Sequence, residues 1–174
     1  GHGCFSSDGR LLYATENDFE GARGVIGIYD ATYSYQRIGE LSSGGVGPHD
    51  MHLLPDGRTL VIANGGIETH PDYPRAKLNL ASMEPNLTFV DTRTGDLLSK
   101  ATLSAALHRL SIRHLAMQED GTVWFACQNQ ADQTMPVPLA GSVDVNGNLR
   151  MLDLPDGDWA KLRGYVGSIA CSSD

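Results

Sequence analysis

Short apolar runs recur along the chain, each broken by a small cluster of Asp, Gly, Ser or Asn. Residues 4–16 read CFSSDGRLLYATE, residues 52–64 read HLLPDGRTLVIAN, and residues 115–128 read LAMQEDGTVWFACQ. Each stretch places Asp-Gly between two apolar runs. The runs are too short for a packed helix and contain residues that suit a pleated surface. Gly takes the positive φ that a tight turn demands, so each stretch predicts an antiparallel hairpin.

A second strand-turn-strand pattern follows each hairpin, over residues 23–41, 87–103 and 140–154. The repeating unit is therefore four antiparallel strands. The turn aspartates are Asp8, Asp56 and Asp120, which lie 48 and 64 residues apart. That spacing suits a four-stranded β-propeller blade with insertions. The predicted fold class is all-β, a single partial β-propeller domain over residues 1–174. Its blades are expected at about 1–46, 47–110 and 111–165, with the first strand of a further blade at 166–174. In the last connection, DWAKLR at 158–163 predicts one helical turn. Closed propellers have about four to eight blades, and an open ring leaves sheet edges unpaired. The expectation is that the rest of a longer chain, or another copy, supplies the missing part of the ring.

Composition narrows the partners. Of the 174 residues, 41% are hydrophobic and 20% charged, as in a globular domain with its own core. The net charge of −8 argues against a nucleic-acid backbone as partner. No apolar run reaches the length of a membrane span. The cysteines are Cys4, Cys127 and Cys171, odd in number and without a CxxC pair. They read as small buried residues in strands rather than as a disulfide framework.

The strand order also separates two faces. With the first strand of each blade innermost, the Asp-Gly turns share one face. The starts of the innermost strands, the ends of the second strands and the long loops share the other. Counting back six residues from each turn Asp gives His2, Asp50 and His114. His49 is seven back, level with Gly1 and Arg113. Adjacent strand residues point to opposite sides. His49 therefore joins the other histidines only if its strand opens with a bulge or bend.

Imidazoles converging from adjacent blades suit a transition metal ion or haem, or proton transfer. The plain alternative is that they bond carbonyls between blades. The ligand or metal candidates are His2, His49, Asp50 and His114. Secondary candidates on the same face are Glu16, Asn17, Asn64, Arg113 and Gln128, with His70 and Arg75 in the long insertion at 65–85. That insertion suits a lid or a docking segment, with packing on its own blade as the alternative. The GxSxG, HExxH, P-loop and GxGxxG patterns are absent, so no catalytic residue is nominated.

Longer strings carry a family resemblance. GHGCFSSDGRLLYATENDFEGARGVIGIYD, GPHDMHLLPDGRTLVIANGGIETHPDYPRAKLNL, MEPNLTFVD, LSIRHLAMQEDGTVWFACQ and YVGSIA resemble the bacterial family called domain of unknown function 1513. The blade unit itself resembles YVTN and lactonase-like repeats. The resemblance implies a seven-bladed propeller about twice this length, exported to the periplasm. It also implies a role beside periplasmic iron-uptake proteins, as a non-catalytic binding or scaffold protein. The alternative is a metal- or cofactor-binding enzyme, an oxidoreductase or lactonase-like hydrolase, using the axial histidines. Where that family carries GPHE, this chain has GPHD, an acid one methylene shorter at Asp50.

Overall fold

The computed structural model describes residues 1–73, 76–131 and 135–172. Three sheets form, each a meander of four antiparallel strands in chain order. The first holds β1 (Gly3–Phe5), β2 (Leu11–Asp18), β3 (Arg23–Asp30) and β4 (Gln36–Ser42). The second holds β5 (Pro48–Leu53), β6 (Thr59–Asn64), β7 (Asn86–Asp91) and β8 (Leu97–Thr102). The third holds β9 (Leu110–Met117), β10 (Val123–Asn129), β11 (Ala140–Val143) and β12 (Leu149–Met151). One short helix, α1 (Asp156–Lys161), follows where DWAKLR predicts a helical turn.

The Asp-Gly dipeptides close the inner hairpins. Gly9, Gly57 and Gly121 have φ of 69°, 66° and 85°. Their amides donate to the carbonyls of Ser6, Leu54 and Gln118. The preceding aspartates accept from the backbone amides of Arg10, Arg58 and Thr122. Each dipeptide thus supplies both the left-handed residue and a carboxylate that satisfies turn amides.

The sheets pack face to face through two apolar clusters that meet the middle sheet from opposite sides. Leu60 and Ile62 of β6 join Tyr13 and Ile26 of the first sheet. Val61 and Ala63 of the same strand join Ile112, Leu115 and Phe125 of the third. Alternation along one strand therefore buries both faces, and every residue of β6 and β7 is buried. Full burial of each Leu, Ile or Phe contributes about 1.5–3 kcal/mol, so these two seams are what fix the sheets against each other.

Two details differ from the sequence reading. Residues 166–172 form no strand, and Tyr165 alone bridges to Gln128. A strand exists only with a ladder partner, and beyond Val166, whose amide donates to the Cys127 carbonyl, no described residue offers one there. Cys127 is fully buried in β10 and Cys4 lies in β1, but Cys171 is half-buried outside any strand; all three are free thiols.

Candidate metal centre

The innermost strands β1, β5 and β9 bring His2, His49 and His114 together. Their ring centroids lie 5.0–5.8 Å apart. One ring nitrogen from each lies within 4.8 Å of those of the other two. Backbone irregularity makes this possible. The β5–β6 ladder pairs Pro48 with Asn64 and then Asp50 with Ala63, so His49 is the extra residue of a bulge. The β9–β10 ladder pairs Ile112 with Cys127 and then His114 with Ala126, which bulges Arg113 in the same way. The bulge that the alternation rule requires at His49 is present, and an equivalent one lies at Arg113.

Each imidazole is held through one nitrogen by an oxygen. His49 Nδ1 lies 2.8 Å from the carbonyl oxygen of Arg113. A carbonyl only accepts, so Nδ1 carries the hydrogen and Nε2 keeps its lone pair. His2 Nδ1 lies 3.2 Å from Asp50 Oδ1. His114 Nε2 lies 3.0 Å from the Tyr165 hydroxyl. An imidazole gripped at one nitrogen by carbonyl, carboxylate or hydroxyl is the usual posture of a metal-ligating histidine, its tautomer and orientation set from behind.

Asp50 ties this cluster to the seam between sheets. It is 7% exposed. Its Oδ1 accepts the amide of Met51 at 2.8 Å, and its Oδ2 accepts the amide of Leu115 at 2.9 Å. His52 Nε2 lies 3.3 Å from the carbonyl of the same Leu115. The short aspartate side chain reaches both amides. The inner edge of β9, otherwise unpaired, is satisfied by side chains of β5. The inter-blade bonding expected as the plain alternative therefore coexists with the cluster.

The charge state suits a ligand set. Burial, then the Arg113 charge, push His49 down to about 4, and burial lowers His114 as well. Both are neutral at pH 7 and need lose no proton to bind a cation. A tetrahedral site with metal–nitrogen bonds of about 2.0–2.1 Å sets its nitrogens about 3.3 Å apart. The cluster would close to that spacing by side-chain rotation of roughly 1.5 Å or less. His2, with its side chain 46% exposed, has the freedom to move.

The remaining candidates divide. Arg113 and Asn17 line a cavity of about 430 Å³ with His2 and His49. Glu16 instead faces Tyr29 and Arg37 of its own sheet, with Arg37 at 3.1 Å. Asn64 is fully buried and donates to the Ser43 carbonyl at 2.9 Å and to Asn86 at 3.0 Å, which joins the first two sheets. His70 packs near Phe19 and Tyr73 and lies 3.6 Å from Asp72. Gln128 bridges Tyr165 through the backbone. Arg75 lies outside the described residues. Sequence reading missed Tyr165 as the anchor of His114 and His52 as a seam residue. The tyrosine is 51 residues from its partner and nothing in spacing links them.

Successive four-stranded meanders around a common inner edge define a β-propeller. Solved propellers match it in fold. Kuenenia stuttgartiensis hydrazine synthase aligns at 16% identity and a TM-score of 0.61, over 86% of this chain and 41% of that one. The Cps50 (Swd1) β-propeller domain of Myceliophteria thermophila aligns at 18% identity and a TM-score of 0.53, over 88% of this chain and 40% of that one. The chain thus spans less than half the length of either. No curated protein matches. Over residues 1–174 the chain matches the family described as "Protein of unknown function (DUF1513)", and it belongs to that family. No helix among the described residues is long and apolar enough to cross a membrane.

Proposed function

We propose that the protein is a metal-binding β-propeller that holds one divalent transition-metal ion at His2, His49 and His114. The observation that carries this reading is the shared posture of the three rings. Each has one nitrogen engaged by an oxygen, and the cluster sits where three innermost strands meet. Imidazole donors favour Zn²⁺, Cu²⁺, Ni²⁺ or Fe²⁺ over Mg²⁺ or Ca²⁺. Asp50, the Arg113 carbonyl and Tyr165 would orient the ligands, and the ion would supply a Lewis-acidic binding point. Binding rather than turnover is favoured, because no nucleophile or general base accompanies the cluster by sequence motif. An exported role in metal acquisition agrees with the family resemblance. Further blades, covering the exposed Phe5 and Ile38 on the outer face of the first sheet, complete the ring in this reading.

The test uses untagged protein stripped of metal and titrated with Co²⁺ or Zn²⁺. One ion per chain is expected, with binding lost in H2A and H114A and kept in H108A. Wild-type protein that takes no ion, or an H108A variant that loses it, overturns the reading.

A further inference from the structure

The cavity beside the histidines has an unusual charge balance for this chain. The protein carries a net −8. Yet the cavity is lined by the cations Arg113 and Lys77, beside His2 and the neutral His49, and among the described residues by no aspartate or glutamate. The Arg113 guanidinium is partly buried and its Nε has no hydrogen-bond partner among the described residues. No carboxylate among the described residues pairs with it. Lys77 is bonded at 2.5 Å to Gln130, a neutral partner, and no carboxylate among the described residues pairs with it. Asp50, the acid of the cluster, sits behind His2 with its Oδ1 3.2 Å from the ring Nδ1, accepts backbone amides with both oxygens, and does not line the cavity.

A divalent ion at the three histidines would add two more positive charges to this side. Three histidines also leave a position open on a four-coordinate ion. We infer that this cavity takes an oxyanion ligand, a carboxylate or phosphate group, which fills the open metal position and pairs with the Arg113 guanidinium. This rests on the metal-binding reading and names the ligand class of the same site. The guanidinium fork fits either oxyanion through parallel N–H donors. A cavity of about 430 Å³ accommodates a small organic acid or phosphate ester rather than a bare ion alone.

The test is equilibrium dialysis of Co²⁺-loaded protein against radiolabelled oxalate and, separately, inorganic phosphate at fixed ionic strength. Retention is expressed per bound Co²⁺, so any change in metal content is removed. Wild-type protein should retain at least one of the two, and which one identifies the class. R113Q should weaken retention by about tenfold or more, with R113K between, because a point charge replaces the fork. Failure of wild-type protein to hold Co²⁺ overturns the metal reading. Co²⁺ held normally, with neither anion retained, overturns this inference alone. So does equal retention by wild type and R113Q.

Discussion

His49 Nδ1 sits 2.8 Å from the carbonyl oxygen of Arg113, joining two bulged positions 64 residues apart in adjacent sheets. The bond aims one nitrogen at the protein and leaves the other for a ligand. The same residue thus serves the seam and the cluster. H49A should lose metal binding and also about 1 kcal/mol of metal-free stability, the net contribution of one such hydrogen bond. H2A should lose metal binding while metal-free stability stays within about 0.5 kcal/mol, because its ring is half exposed. Urea denaturation beside Co²⁺ titration separates the two. Equal stability losses in both variants would contradict this division.

Asp50 offers a sharper contrast. D50A leaves the buried amide of Leu115 unsatisfied and should cost about 1–3 kcal/mol. D50N keeps an acceptor for that amide and should recover much of the loss. It removes the charge facing His2, so metal affinity should still fall about 10- to 100-fold. Chemical denaturation and metal titration on both variants check this. Full metal affinity in D50N would show that the carboxylate does not support His2.

Acid stability follows from a different pair. Arg58 lies 2.5 Å from Asp91, which is 5% exposed, and holds its carboxyl down to about 2. The unfolded carboxyl titrates near about 3.9. A depressed group contributes stability above its unfolded value and loses it as pH falls through its folded one. Wild-type stability should therefore fall between about pH 4 and pH 2 partly through Asp91. D91N should be less stable at neutral pH and flatter across that window, read from urea midpoints at each pH. Parallel curves would remove Asp91 as the cause.

Core packing gives a fourth outcome. Gly141 faces Phe125, and an added Cβ would lie 2.6 Å from its ring and 2.4 Å from the Arg150 carbonyl. G141A should cost about 1–3 kcal/mol through overpacking, measured by thermal unfolding. A neutral effect would mean that β11 moves freely against β10 and β12.

Much of the fold was legible because Asp-Gly turns and alternation are local signals. Asp8-Gly9, Asp56-Gly57 and Asp120-Gly121 mark the hairpins with no knowledge of the rest of the chain. The site was legible only in outline. Spacing placed His2 and His114 level, and the alternation rule set the condition for His49. It did not show that Arg113 bulges too, since a one-residue slip leaves no compositional trace and reverses which side a chain faces. Glu16 shared the expected face by position, but its partner Arg37 lies 21 residues on and pulls it into the ion-pair network of its own sheet. Partners such as these are set by three-dimensional packing.

The most direct measurement is a crystal structure of Co²⁺-soaked protein, read by anomalous scattering at the cobalt edge. A single strong peak is predicted about 2.0–2.2 Å from one nitrogen each of His2, His49 and His114. A map without a peak there, or with cobalt bound only at other residues, would contradict the three-histidine site.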